Sequence, residues 1–357
     1  MNVLVMHNRY RVRGGEERAV DLQMRALRRA GVEVRLLEAD SQEMGGARAA
    51  RSMLRGGRAI DTGGADVVHV HNMHPEFGPR ALRSAREQGA RVILHLHNFR
   101  LFCAIATCFR DGEPCFRCRG RFTLPGLALN CRDSLPQSAV YTSALALHQP
   151  AVMEAVDAFV TPSRYAAGQL ERLGLPGATV IPNYVPEFAP ESAADRGEYA
   201  VCIGRLSPEK GFEHAAEAAR ISGVPLKIAG SGEASYDGAE MLGHVDDVAA
   251  LLRGAAMAIV PSVGGDVMPF AALEAMAAGV PVVAARSGSL PELVGDENCV
   301  ARRDPQALAV AMRGLWDDPE RRRALGQAQL ASARERFGEE RYVRDILAVY
   351  RGEQSAA

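Results

Sequence analysis

The chain has 357 residues, 47% apolar and 24% charged, and its 42 lysines and arginines nearly balance 43 aspartates and glutamates for a net charge of −1. That length accommodates two domains, each with its own core. The balance excludes a global attraction to nucleic acid or acidic membranes, and no apolar run approaches the ~20 residues that a spanning helix needs. The apolar run at residues 1–7 is too short for a secretory signal and lacks a small-residue cleavage site. A cytoplasmic protein is therefore expected, with peripheral contact at the inner face of a membrane left open. Its seven cysteines are expected as thiols or metal ligands rather than disulfides.

Residues 2–6 predict a buried strand and 16–29 a helix. Gly14 and Gly15 between them remove side chains where backbone must come close, and Glu16 and Glu17 suit a helix start, so the turn either faces a ligand or is simply tight. Residues 32–37 and 67–71 repeat the strand pattern with helical stretches between, which predicts a parallel sheet wound on both sides. Residues 91–98 form the next strand, with His97 at its C-terminal end. Open α/β sheets bind ligands there. The alternative is a histidine hydrogen-bonded under a loop.

From 99 to 133 the character changes. Arg100, Arg110, Arg117, Arg119, Arg121 and Arg132 are interleaved with Phe99, Phe102, Phe109, Phe116 and Phe122, without helix or strand period. This predicts an insertion whose basic, aromatic surface suits an acidic acceptor or anionic lipid, or else a solvated lobe over a small satellite core. Five cysteines lie here. Cys115-x2-Cys118 flanked by Cys103 and Cys131 offers the donor set for a structural zinc, the alternative being buried free thiols. Residues 158–163 form a further strand, and the helix after it is closed by Gly174 and Pro176. Residues 179–183 then lead into Pro- and acid-rich sequence. That shift predicts a first domain at 1–183, a linker at 184–198, a second domain at 199–338 and a closing helix at 339–357 that returns to the first.

The second domain opens with a strand that delivers Arg205 and Lys210 into one loop before a helix. Two fixed cations can neutralise a diphosphate, a task Mg²⁺ performs elsewhere, or Arg205 and Lys210 can form a surface charge cluster with Glu209. Gly230-x-Gly232 hints at a dinucleotide fingerprint, but Ser235 stands where the third glycine belongs, which disfavours a nicotinamide oxidoreductase. Val245 follows Gly243-His244 ahead of a helix at 248–254. Residues 257–260 then predict a buried strand, a Gly-rich loop carrying Asp266, a helix opened by Pro269 and a further strand after Gly279. The first N–H groups at that helix start, Phe270 and Ala271 foremost, make an anion site with the dipole behind them. Glu274 sits one turn in and tilts back toward the loop, forming an acid-x7-acid pair with Asp266. The bland reading is a helix-capping aspartate and a solvated glutamate. Residues 287–292 add a polar loop of no sharp role.

The segments at 204–211 and 261–283 resemble those of the group 1 glycosyl transferases, the retaining nucleotide-sugar enzymes of family four with the GT-B fold, and the resemblance spans nearly the whole chain. It implies an α/β protein of two Rossmann-like, doubly wound domains facing a central cleft, acceptor side first and donor side second. The implied reaction moves a sugar from a nucleoside diphosphate sugar to an acceptor hydroxyl or amine with retained configuration. The nucleotide sugar is the only co-substrate implied, with no catalytic metal. By this resemblance Glu274 holds the nucleotide ribose, Asp266 contacts donor-sugar hydroxyls, and Arg205 and Lys210 grip the diphosphate. The segment of Val245 meets the base, His97 the transferring sugar, and the Gly14-Gly15 turn the diphosphate and acceptor. Asp266 is one methylene shorter than the family's glutamate, and Tyr184 replaces the glycine of an Ile-Pro-Asn-Gly segment. No nucleophile flanks the sugar site in sequence, so same-face attack assisted by the leaving phosphate is expected over a glycosyl-enzyme. An epimerase, a phosphorylase or a non-catalytic nucleotide-sugar binder on this fold are the alternatives. Composition permits glycoconjugate, polysaccharide and natural-product acceptors alike.

Overall fold

The computed structural model describes residues 1–10, 14–175, 177–185 and 189–353. The chain divides into two compact units: Met1–Cys108, Cys115–Pro182 and Glu340–Ala357 form one, and Phe109–Pro114 with Asn183–Glu339 form the other.

The first unit holds β1 (Asn2–Arg9), α1 (Gly15–Arg29), β2 (Glu33–Asp40), α2 (Gly46–Arg55), β3 (Val67–Val70), α3 (Gly78–Glu87) and β4 (Arg91–His95). After β4 come a short hairpin, β5 (Phe109–Arg110) and β6 (Glu113–Pro114), then α4 (Leu124–Ala128), α5 (Leu135–Ala155), β7 (Ala158–Thr161), α6 (Arg164–Arg172) and β8 (Thr179–Val180). The sheet is parallel in the order β2-β1-β3-β4-β7-β8. Every residue of β3 is buried, as a strand covered on both faces requires. α1 begins with Glu16 and Glu17 and ends with Arg28 and Arg29, which complement its dipole.

The second unit runs β9 (Tyr199–Ile203), α7 (Phe212–Ser222), β10 (Leu226–Ala229), β11 (Glu240–Gly243), α8 (Val248–Arg253), β12 (Ala255–Val260), α9 (Phe270–Ala277), β13 (Val282–Ala285), α10 (Leu290–Val294), β14 (Cys299–Val300), α11 (Pro305–Trp316) and α12 (Pro319–Arg336). Its sheet is also parallel, in the order β11-β10-β9-β12-β13-β14. Leu273 and Met276 anchor α9 against this sheet and are wholly buried. In both sheets the strand order reverses beside the first strand, between β1 and β3 and between β9 and β12. Loops leaving those strands diverge there and open a crevice at the carboxyl ends.

Three features differ from the sequence expectation. The stretch expected as a linker is packed into the second unit: Tyr184 is buried, Val185 N–H donates to Phe337 O at 3.2 Å and Ala189 N–H to Ala277 O at 2.8 Å. Its residues 186–188, like Pro176, lie outside the described residues. The insertion at 99–133 is split, because its hairpin clusters with the second unit, where Glu113 meets Arg302 and Arg303. The expected aromatic surface is mostly core: Phe99 and Phe102 are buried, with Phe99 edge-on to Phe116, and only Phe122 is strongly exposed. The last helix, α13 (Glu339–Arg351), lies in the first unit, where Tyr342 and Tyr350 both hydrogen-bond Gln23 of α1.

Candidate active site

In the second unit the loops after β9 and β12 are tied together. A single turn at Pro208–Lys210 closes on Gly211, whose φ is 66°. A Cβ there would stand 2.4 Å from Pro261 O, so only glycine fits. The turn sets Lys210 against the β12 loop, where its Nζ donates to both carboxylate oxygens of Asp266 at 2.7 and 2.9 Å. The Ser262 hydroxyl donates to Asp266 Oδ2 at 2.6 Å. Val263 and Gly264 N–H both donate to Glu209 O at 3.0 Å. The polar loop at 287–292 acquires a role: Ser287 Oγ donates to Gly264 O at 2.7 Å and Ser289 N–H to Asp266 O at 3.0 Å, clamping the segment that carries the acid.

The predicted site residues therefore divide. Lys210 and Asp266, expected in separate roles, form one direct, largely buried ion pair. Arg205 is half exposed and pairs instead with Glu209 at 3.3 Å. α9 starts four residues after Asp266, and its N-cap, Pro269, makes no side-chain capping bond. Glu274 is half-buried one turn further in. Val245 is half-buried beyond β11, in a turn joined to the next loop by Gly230 N–H donating to Gly243 O at 2.7 Å.

Gly14, Gly15 and His97 belong to the first unit. Gly14 caps α1, and its N–H donates to Glu17 Oε2 at 2.8 Å. His97, two residues past β4, contacts His71 Nδ1 through Nε2 at 2.7 Å and stacks on His95 at 4.1 Å. This histidine belongs to a column. Parallel register aligns Val5, His69 and Ile93 across β1, β3 and β4, so residues two and four further along those strands share the face. His7, His69, His71, His95 and His97 are thereby collected on one side of the sheet. Burial holds His69, His71 and His97 well below the usual histidine range and His95 at about 3, so these rings are neutral.

Among the described residues, His69, His71 and His95 are the set whose ligand atoms lie within 4.8 Å of one another. The rings of His69 and His71 are stacked with planes only 13° apart, and His71 and His95 only 24° apart. Their lone pairs run nearly side by side instead of converging on one centre, so the trio reads as packed neutral imidazoles rather than a metal cradle. The cysteines expected to hold zinc do not form such a set. Cys103 pairs with Cys108, a thiol outside the expected four, and that hydrogen bond pulls the Cys103 thiol down to about 6. Cys118 Sγ approaches Thr123 O at 3.7 Å.

Sequence reasoning missed a buried polar cluster at the mouth of the first sheet. Glu16 Oε2 accepts from Tyr10 Oη at 3.1 Å and Asn98 Nδ2 at 3.0 Å. Asn98 Oδ1 accepts Arg100 N–H at 2.8 Å, and the Arg100 guanidinium lies 5.7 Å over the Tyr10 ring. His71, His74, His97, Asn98 and Arg100 line a cavity of about 20 Å³, enough for about one ordered water. The signal was present as Glu16 directly behind two glycines, but it reads equally well as a helix-start acid. Burial pushes the Glu16 carboxyl up to about 7, with His7 working against the shift. Glu17 falls below the usual range, because hydrogen bonds from His7 and from Tyr10 and Gly14 N–H outweigh its burial.

The raised Glu16 carboxyl has a thermodynamic sign. Between its ordinary pKa of 4.5 and about 7 the folded state holds a proton that the unfolded state has lost. The stability it contributes is therefore full below pH 4.5 and is lost as pH rises toward 7, by roughly 3 kcal/mol at about 1.4 per pH unit. Glu16→Gln should remove this dependence. Thermal melts at pH 5 and pH 8 should show the variant gaining on the wild type at the higher pH, and parallel melts would refute the buried-acid account.

Residues 12–184 match the family model described as Glycosyl transferase 4-like domain, and residues 197–318 match Glycosyl transferases group 1. Among curated relatives, the chain is 38% identical over 110 residues to the MMP alpha-(1->4)-mannosyltransferase of Mycolicibacterium hassiacum, covering 29% of this chain and 26% of that protein. It is 35% identical over 190 residues to the D-inositol 3-phosphate glycosyltransferase of Segniliparus rotundus, covering 45% of this chain and 41% of that protein. The chain thus spans less than half the length of these relatives. Among solved structures, HepE of Anabaena in complex with UDP and glucose superposes with a TM-score of 0.68 at 14% identity, over 99% of this chain and 100% of that one. Sucrose-phosphate synthase of Thermosynechococcus elongatus gives a TM-score of 0.67 at 18% identity, over 98% of both chains. At these identities the likeness concerns the fold, which is GT-B: two Rossmann-like α/β domains.

Proposed function

The chain belongs to the group 1 glycosyl transferases, and from that premise we propose that it transfers a sugar from a nucleoside diphosphate sugar to an acceptor hydroxyl or amine with retained anomeric configuration. The observation that carries this reading is the Lys210–Asp266 pair at the mouth of a helix without a side-chain cap, with Arg205 on the same loop. The UDP in the HepE complex supports a donor of that class.

In this reading the diphosphate lies against the first N–H groups of α9, at Phe270 and Ala271. Lys210 turns from Asp266 toward the phosphate, and Arg205 leaves Glu209 for the same charge. The Asp266 carboxylate, so released, accepts from donor-sugar hydroxyls. Glu274 accepts from the ribose, and the turn of Val245 borders the base. The bond from the anomeric carbon to the diphosphate oxygen breaks while the acceptor oxygen or nitrogen bonds to that carbon from the same face, its proton passing to the departing phosphate. The cations stabilise charge that grows only as the bond breaks, so they act on the transition state more than on bound donor. Within the first unit, His97 is a neutral ring that can donate to a sugar hydroxyl, and the Gly14-Gly15 turn lets a ligand approach the backbone closely.

A thermal-shift panel of nucleoside diphosphate sugars tests the donor class, since a ligand that binds only folded protein raises its melting point. Glu274→Ala should then abolish the shift from the matching donor while retaining the unliganded melting temperature. A full shift in the variant would remove Glu274 from the site.

A further inference from the structure

We infer that the first unit carries a docking surface for an anionic lipid bilayer, formed by α2, α5 and the turn before α4. α5 runs for 21 residues, and its only charged residue is Glu154, near its C-terminal end. Its outward positions, Pro136, Ser143, Leu147 and Pro150, are exposed at helical spacing and uncharged. Leu135 and Leu147 are 61% and 59% exposed, and beside α5 stand Phe122 and Leu124 at 55% and 59%. A soluble helix ordinarily turns charge to water on that face.

Hydrogen bonds make the patch continuous. Arg121 Nε donates to Ala146 O at 3.0 Å, which ties the turn that carries Phe122 to the part of α5 that carries Leu147. On the other flank, His148 Nε2 meets Leu54 O of α2 at 3.0 Å, and Leu54 is 44% exposed. Residues 44–60 contain four arginines and no acid. Arg48 and Arg58 share Glu76, while Arg51 and Arg55 are exposed on α2. On the opposite flank Arg117, Arg119 and Arg121 are exposed as well.

An uncharged, partly apolar strip bordered on both sides by arginines matches the layering of an anionic membrane surface: acyl and glycerol groups for the leucines and phenylalanine, phosphates for the guanidinium groups. The chain as a whole has a net charge of −1, so the attraction is local to this face. No helix among the described residues is long and apolar enough to cross a membrane, so the contact is one of lying on the surface. This inference does not depend on the donor chemistry proposed above.

Cosedimentation with phosphatidylglycerol-containing vesicles, against pure phosphatidylcholine, tests it. The full chain should pellet with the anionic vesicles at low salt and stay in solution with the neutral ones. The surface triple variant Arg117→Gln/Arg119→Gln/Arg121→Gln should partition ~100-fold less. Phe122→Ser/Leu147→Ser should keep binding at low salt and lose what remains at high salt. Wild-type protein that ignores anionic vesicles, an arginine triple variant that binds as well as wild type, or a Phe122→Ser/Leu147→Ser variant that keeps wild-type binding at high salt would overturn the inference. So would a dimer in light scattering that Phe122→Ser/Leu147→Ser dissolves while vesicles are ignored, because the strip would then join two copies of the chain.

Discussion

Replacing Lys210 with alanine should lower turnover of the matching nucleotide sugar by about 10²–10³-fold, the cost of removing one preorganised group that stabilises developing charge. Lys210 is the better placed of the two cations. Its side chain is 18% exposed and held by both oxygens of Asp266, whereas that of Arg205 is 51% exposed and held by a single contact to Glu209. The less hydrated charge acts through a lower effective dielectric, so Lys210→Ala should cost more than Arg205→Ala. Asp266→Asn separates the roles. It removes the counter-charge yet leaves the ammonium for the phosphate, so donor affinity should hold while transfer falls. Steady-state release of the nucleoside diphosphate, with circular dichroism as a folding check, decides the matter. Lys210→Ala within threefold of wild type would reduce the pair to a loop staple.

Gly230→Ala should be among the most destabilising single-methyl additions in the chain. Its Cβ would stand 1.6 Å from Gly204 O and 2.7 Å from Gly204 C, both backbone atoms that cannot rotate away. Gly204 N–H already donates to Ala229 O at 2.9 Å and Gly230 N–H to Gly243 O at 2.7 Å, so three loops at the carboxyl ends of β9, β10 and β11 must separate together. A cost of roughly 3 kcal/mol or more is expected, the upper range for overpacking. Because Arg205 follows Gly204 directly, donor binding should weaken as well. Gly223→Ala is the control: its φ is +69° but nothing lies within 4 Å of the added carbon, so only the left-handed penalty of about 1–2 kcal/mol applies. Urea denaturation of both variants should give a clearly larger loss for Gly230→Ala, and equal losses would refute the close-approach account. The Gly230-x-Gly232 pair, which by spacing alone hinted at a dinucleotide fingerprint, is thus explained by two loops that touch.

Much of this architecture is legible in one dimension. Apolar runs bounded by glycine and alternating with helical stretches specify parallel sheets, because strands covered on both faces have no polar side to show. The turn that delivers Arg205 and Lys210, and the Pro269 helix start with Glu274 one turn in, are local signals of a few residues, and they survive folding unchanged. What could not be read is which distant groups meet. Lys210 and Asp266 are 56 positions apart, and their pairing depends on β9 and β12 being neighbours in the sheet. The histidine column depends on register across three strands, since periodicity assigns a face but not a neighbour. The raised carboxyl of Glu16 depends on burial, which placed an ordinary helix-start acid where water cannot reach it. Local propensity and pattern therefore determined the elements and the chemistry each can offer, whereas burial and chain-distant contact, which exist only once the sheets have formed, decided partners, charge states and the packed fate of the expected linker.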